Sequence, residues 1–345
     1  MKGSGSSDRA TATATVRVSS PPGYLEEGLF GRVFLWIFEI LPYLERRRLY
    51  PQWHIVSALY GRRADQLVVP GALDLAYTPA AECRDEWPLS DLRDLHASSL
   101  GGEWAAVSAL WHNYFAIPPR VLARVDPRIS ATTLGVHYRG TDKLTSSWDS
   151  NFIGVDDILL LVADFLAGRP EFEQIYLATD QEHVVAQFRE RLSVPVLNDG
   201  VGEHHKSERR PGAGDYDRAD EAVRDCVSLA RCGAVLLTSS ALSAFAKILR
   251  PELEAYRCAA SKMLDNGPYF PVAYISILPV RGEQARQVLV RTMQDDWTTH
   301  PGAHAFRKPF YARPNWGWRL RSKRRVLKRL LRAVFRRPRA PAAAP

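Results

Sequence analysis

The sequence predicts an α/β protein whose second half is a parallel sheet with helices on both faces. Three observations point there. Between residues 131 and 258, short apolar runs alternate with amphipathic stretches of helical period, the pattern of repeated strand–helix units. The connections between them are short, as they are when successive elements pack side by side. The chain has 345 residues, 46% hydrophobic and 24% charged, which is globular composition and length enough for two domains of ordinary size.

The elements follow in order. Residues 1–13 are small and polar and predict a disordered leader. Residues 15–19 alternate and predict a strand, closed by Pro21-Pro22-Gly23. From 28 to 48, Leu29, Val33, Trp36, Ile37, Ile40, Leu41 and Leu44 recur at spacings of three and four, which predicts a helix. Pro51, Trp53 and Ile55 predict a second strand. Signals weaken between 60 and 130, where Pro70-Gly71 and Pro118-Pro119 mark turns. The second half predicts strands at 131–137, 174–179, 194–197, 234–237 and 253–257. Helices are predicted at 155–167, 182–192, 217–232 and 243–249. In such sheets ligands bind beyond the carboxyl ends of the strands, so the residues after Val136, Ala178 and Leu237 are the ones to inspect.

Charge and composition exclude several classes. No run of 18 uncharged apolar residues occurs; Leu29 to Leu44 is broken by Arg32, Glu39 and Pro42. No membrane-spanning helix is expected. The first 20 residues lack an apolar core, so no secretory signal is expected. Cys83, Cys226, Cys232 and Cys258 are scattered, with no C-x-x-C pair. That argues against a disulfide framework or zinc ribbon and fits a reducing cytoplasm. The net charge of +8 comes from one segment: residues 319–339 hold eleven Arg or Lys and no acid, leaving 35 basic against 38 acidic residues elsewhere. The body of the protein is not basic, and nucleic acid is not expected as a partner.

Three predicted strand ends carry polar residues. The strand before 137 ends in His137, Arg139, Thr141, Asp142 and Lys143, a set that is costly to pack without a task. Arg139 offers a planar fork for phosphate and Lys143 a mobile charge; an Arg139–Asp142 ion pair on a surface turn is the bland alternative. The next strand ends in Asp180, which either caps the following helix or lines the same cleft. The third ends in Thr238, Ser239 and Ser240 and opens a helix, where free N–H groups and hydroxyls suit an anion; a plain N-cap is the alternative. Asp225, on the preceding helix, either faces solvent or reaches the cleft. There is no Walker motif and no G-x-G-x-x-G, so a nucleotide-diphosphate site is expected without NTPase or dehydrogenase chemistry. Asp215-Tyr-Asp217 has D-x-D form, but acids at a helix start are favoured by the dipole. His204-His205 reads as a solvated pair, and no metal is expected.

These residues carry a resemblance. His137-Tyr-Arg139-Gly-Thr141-Asp142-Lys143 is similar to the H-x-R-R-T-D-K motif of α1,6-fucosyltransferases, a group that includes bacterial nodulation-factor enzymes. Tyr176-Leu-Ala-Thr-Asp180 resembles their second motif. Asp225 followed by Thr238-Ser239-Ser240 resembles the third, in the same order and spacing. Gly28-Leu-Phe-Gly31 resembles the glycine-bearing start of the first helix in bacterial relatives. The clear part covers residues 131 to 258.

The resemblance implies a GT-B-like architecture, two Rossmann-like domains facing across a cleft. It implies an N-terminal acceptor-side domain over 14–125 and a nucleotide-sugar domain over 131–260. An extension over 261–315 and a basic tail over 316–345 follow. It implies GDP-fucose as donor, inversion at the sugar carbon, no required metal or cofactor, and a glycan or glycolipid acceptor. Arg139 would meet the β-phosphate. His137 and Asp225 would read guanine, and Thr238, Ser239 and Ser240 would hold phosphate. Asp142 and Lys143 would support the catalytic centre with Asp180 nearby, and Gly28 and Gly31 would approach the substrate. Two positions depart from the motif: Gly140 replaces its second arginine, and Ser147 stands where a glutamate is expected. Asp149 is then the candidate general base. A transferase using another nucleotide sugar, or an inactive binding or scaffold protein, stays open as the alternative.

In the tail, Leu327, Leu330, Leu331, Val334 and Phe335 fall on one helical face among arginines and lysines, after Trp316 and Trp318. That pattern suits an interfacial helix on anionic lipid. The expectation is a cytoplasmic protein attached peripherally to the inner face of the membrane through 319–339; a basic helix packed on the protein is the alternative.

Overall fold

The computed structural model describes residues 14–19, 30, 49–54, 69–70, 82–84, 104–105, 108, 111–112, 115–140, 151–200, 215–238, 240–260, 275–294 and 296. In the first part, strands β1 (Ala14–Ser19), β2 (Leu49–His54) and β4 (Glu82–Arg84) form a three-stranded parallel sheet in the order β2-β1-β4. A short antiparallel pair joins β3 (Val69–Pro70) to β5 (Phe115–Ala116). Phe30 lies in helical backbone; the rest of the helix expected over 28–48 lies outside the described residues, as do the leader and the tail.

The second part is a six-stranded, all-parallel sheet in the order β11-β10-β9-β6-β7-β8. Its strands are β6 (Thr133–Tyr138), β7 (Gln174–Thr179), β8 (Val196–Leu197), β9 (Ala234–Leu237), β10 (Glu254–Arg257) and β11 (Ser276–Ile277). Helix α1 (Pro119–Leu122) precedes them. Then come α2 (Val155–Ala167), α3 (Glu182–Arg191), α4 (Asp215–Arg231), α5 (Ala241–Leu249) and α6 (Glu283–Thr292). Strands β6 and β9 are buried along their whole length, and β7 after its first residue, as expected when helices cover both faces of a parallel sheet.

The two faces are distinct. On one, α2, α3 and α6 pack their apolar residues against Leu134, Val136, Tyr138, Ile175, Leu177 and Leu236. On the other lie α4 and α5. A side chain at Gly135 would meet Val235, Leu229 and Cys232 within 3.2 Å, so glycine there lets α4 close onto β6. The Cys226 thiol donates to the Leu242 carbonyl, joining α4 to α5. The outer side of α5 is buttressed by aromatics from earlier in the chain: Trp111 meets Phe245 edge-on at 4.7 Å and stacks on Phe115 at 4.4 Å, and Phe30 lies 5.3 Å from Phe245. Such pairs add to the burial of large apolar rings.

Boundaries differ from expectation for local reasons. Strand β8 loses its first half because Pro195 has no N–H; its carbonyl still accepts from the Ile175 amide at 2.8 Å. Helix α5 starts at Ala241 because Ser240 occupies the N-cap. Residues 275–294 add an edge strand and a helix that the sequence reading left in an undivided extension. They are locked by a buried pair, Arg257 at the end of β10 with Asp296, in which the guanidinium also donates to the Ile275 carbonyl at 2.8 Å. No helix among the described residues is long and apolar enough to cross a membrane.

Candidate functional site

The chain order fixes where a site can form. From β6 the chain builds outward through β7 and β8, then returns to lay β9 on the other side of β6 and continues through β10 and β11. Neighbouring connections therefore leave β6 and β9 in opposite directions. This is the topological switch point, and ligands in an open parallel sheet bind at the carboxyl ends of the strands there. Arg139 and the Thr238-to-Ser240 turn follow these two strands.

Backbone bonds hold the two ends together. The Thr238 amide donates to the His137 carbonyl at 3.1 Å. The Thr238 hydroxyl donates to the same carbonyl and accepts from the Arg139 amide, both at 3.3 Å. A single buried threonine thus staples the arginine-bearing end of β6 to the end of β9. His137 is buried, and its Nδ1 lies 3.0 Å from the Ser243 hydroxyl, which donates its own proton to the Ser240 carbonyl at 3.2 Å. The imidazole holds the first turn of α5 against β6.

The helix ends around the switch point differ in charge. Helices α2, α3 and α6 carry Asp156 and Asp157, Glu182, and Glu283 in their first turns. Helix α5 has no acid there, and Ser240 makes no side-chain cap. Its first turn keeps the partial positive charge of unspent N–H groups. The arrangement offers a helix N-terminus beside an arginine-bearing strand end, which is chemistry suited to an anion.

The other expected residues fall as follows. Asp180 directly follows β7, next to β6, but the N-cap of α3 is Gln181 rather than Asp180. At Gly140 a Cβ would lie 2.3 Å from Gln181 Oε1 and 2.9 Å from the Tyr138 ring, so the carboxamide holds the space a side chain would need. Tyr138 donates to the Ile153 carbonyl at 3.1 Å, and burial pushes its phenol up to about 12. Asn151 donates to the carbonyls of Thr292 at 3.0 Å and Gln294 at 2.6 Å. Thr141, Asp142, Lys143, Ser147 and Asp149 lie outside the described residues, as do Ser239, Gly28, Gly31, His204 and His205.

Asp225 is buried rather than solvent-facing. It lies on α4, 4% exposed, over the middle of the sheet. The Tyr176 hydroxyl shares its proton between Asp225 at 3.0 Å and Asp199 at 3.3 Å. Arg224 donates to Asp225 at 3.1 Å and lies 3.5 Å from Asp199. Burial raises the Asp199 carboxyl above its ordinary range; Asp225 and Asp126 add to the rise, while Arg224 and the Tyr176 hydroxyl oppose it. Burial, then Asp225, pushes the Tyr176 phenol well up. Further along, Arg120 grips Asp220 with two bonds of 2.8 Å, tying α1 to α4. Among the described residues no three His, Cys, Asp or Glu side chains gather as a metal site.

Sequence reasoning missed Ser243, Gln181, Arg224 and the Arg257–Asp296 pair. Ser243 had a readable signal, since three residues after Ser240 places it on the same helical face. Gln181 directly follows Asp180. The Arg257–Asp296 pair joins residues 39 apart and leaves no local trace.

No protein-family model matches the chain, and no curated protein matches it. Among solved structures, the chain is similar to NodZ alpha-1,6-fucosyltransferase soaked with GDP-fucose, at 16% identity and a TM-score of 0.45, over 70% of this chain and 94% of that one. It is similar to a mutant of Arabidopsis thaliana FUT1 in complex with GDP, at 9% identity and 0.45, over 71% and 70%. It is also similar to POFUT1 in complex with GDP-fucose, at 10% identity and 0.42, over 72% and 99%. Likeness of this degree transfers no function.

Proposed function

We propose that this chain is an inverting glycosyltransferase that moves fucose from GDP-fucose to a hydroxyl of a bacterial glycan or lipid-linked glycan. The observation that carries the proposal is the staple at the switch point: Thr238 fastens the Arg139-bearing end of β6 to the strand that opens α5. The three ordered sequence motifs support the choice of donor. In this reading Arg139 and the first turn of α5, with Ser239 and Ser240, receive the diphosphate.

The reaction breaks the bond between the sugar's anomeric carbon and the β-phosphate oxygen, and the acceptor oxygen bonds to that carbon from the opposite side. Negative charge grows on the departing GDP, where Arg139 and the α5 N–H groups stabilise it. The acceptor proton passes to a carboxylate, for which Asp149 is the candidate, with Asp142, Lys143 and Asp180 supporting the centre. Positive charge comes from the protein, so a metal is not required. The domain over 14–125 holds the acceptor across a cleft from the donor.

The tail over 319–339 attaches the enzyme to anionic lipid beside a lipid-linked acceptor, at the inner face of the membrane. Sedimentation with anionic vesicles checks this: the full chain should pellet and a chain ending near Arg313 should not, and equal pelleting removes the idea.

Calorimetry with GDP, GDP-fucose and UDP-sugars, followed by an assay of donor hydrolysis, tests the donor. Binding of the guanosine compounds with turnover is expected. Preference for a UDP-sugar would identify another transferase. Binding without turnover on any acceptor would favour an inactive binding protein, the reading that Gly140 and Ser147 would then support.

A further inference from the structure

The proposed diphosphate site depends on where the first turn of α5 stands, and that turn is fixed from behind. The amides of Ala241, Leu242 and Ser243 open the helix and have no acceptor inside it. They can serve a ligand only if other groups hold the turn. The bonds that hold it use carbonyls and side chains instead. The Ala244 amide and the Ser243 hydroxyl both donate to the Ser240 carbonyl, each at 3.2 Å. The Cys226 thiol of α4 donates to the Leu242 carbonyl at 3.3 Å. The Ser243 hydroxyl also meets His137 Nδ1 at 3.0 Å.

That last contact is the one that reaches the arginine-bearing strand. Alternation along β6 puts Leu134, Val136 and Tyr138 against the core under α2, α3 and α6. Gly135 and His137 face the other way, toward α4 and α5, as their neighbours show, and position 139 continues that side. Ser243 is fully buried and His137 is 6% exposed, so water does not compete for the bond between them. A side-chain link therefore runs from the end of β6 through His137 and Ser243 to the Ser240 carbonyl, at the entry to α5. Thr238 joins the same two strand ends but stops short of the helix. We infer that Ser243 is a positioning residue: through His137 it sets the first turn of α5 against the Arg139 end of β6, and so the fit of a diphosphate between them. It touches no substrate itself. The inference rests on the donor reading above.

The test is calorimetry of the full-length protein with GDP and with guanosine, which separates the hold on phosphate from the hold on the rest of the ligand. The wild type should bind GDP the more tightly. Ser243→Ala should narrow that gap by about fivefold, the worth of one hydrogen bond, and leave guanosine unchanged. His137→Leu fills similar space without the nitrogen and should act in the same way. The double variant should be no worse than either single, because both changes remove one contact. Thermal unfolding shows which variants fold, and either single variant carries the comparison by itself. A gap of wild-type width in a folded variant overturns the inference and leaves the donor reading in place, whether or not both ligands weaken together; equal weakening is what a general loosening of the fold would give. Wild-type protein that binds GDP no better than guanosine overturns the donor reading and this inference with it.

Discussion

Two polar clusters lie on the same face of the six-stranded sheet, and they differ in where their hydrogen bonds end. Under the middle of α4, Tyr176, Asp199, Arg224 and Asp225 bond to one another, one cation against two carboxylates with a phenol between them. At the β6–β9 switch point the bonds run into the backbone instead. Thr238 ties strand to strand, Ser243 ties His137 to the start of α5, and the first turn of α5 is left without a side-chain cap or an acid. The contrast teaches that buried polarity alone does not mark a site. Tyr176, Arg224 and the two carboxylates tie α4 to the sheet, whereas the scaffold at the strand ends leaves the first-turn N–H groups of α5 for a ligand.

The largest effect expected is in the cluster under α4. Asp225→Ala leaves Arg224 short of a partner and should destabilise the protein by about 3–5 kcal/mol, the cost of breaking a buried charged pair, read by denaturant unfolding. A fully stable Asp225→Ala protein that has lost GDP would move Asp225 into the open site and break the comparison. Next comes Arg139→Ala, which should fold normally and lose about 10²–10³ in turnover; near-normal turnover removes Arg139 from the mechanism. Ser240→Ala sharpens the contrast further. Replacing a working N-cap costs about 1 kcal/mol, but this hydroxyl makes no cap bond, so stability should hold while GDP weakens by about fivefold. Loss of stability with unchanged GDP affinity would return Ser240 to a capping role.

The smallest effect is a pH dependence. The folded state holds the Asp199 proton more tightly than the unfolded chain does, because burial raises its carboxyl. Its contribution is therefore full below the ordinary carboxylate range and is lost as pH rises through the raised value. Asp199→Asn keeps the size and removes the titration. The variant should gain on the wild type by about 1 kcal/mol or less between acid and neutral pH, in paired unfolding curves. A difference that does not change with pH would show that Arg224 already holds Asp199 ionised without cost.

Legibility in the sequence followed the range of the interaction. Strands β7 and β9 and helix α2 match their predicted bounds, because each is a dense apolar run or a clean helical period ended by Gly, Ser or Thr. Helix α6 was readable from Ala285, Val288, Leu289 and Thr292, spaced three and four apart and all buried, but β11 has only two residues and no alternation to detect. The switch point was legible as two polar strand ends. That they adjoin depends on β9 returning beside β6, and local patterns do not encode strand order. That Asp225 meets Tyr176 of β7 was not legible, because a lone acid in an apolar helix has the same local signature whichever partner it meets. Gln181 went unnoticed because the space its carboxamide fills is left by a glycine 41 positions earlier.

The central claim is that the end of β6 and the start of α5 form one receptor for a diphosphate. Titrating the wild-type chain with GDP and with guanosine tests it most directly. GDP should bind at least about tenfold more tightly, through charge-assisted bonds to its phosphates, with the gap narrowing as salt is added. Guanosine binding as tightly as GDP, or a gap indifferent to salt, would contradict the account.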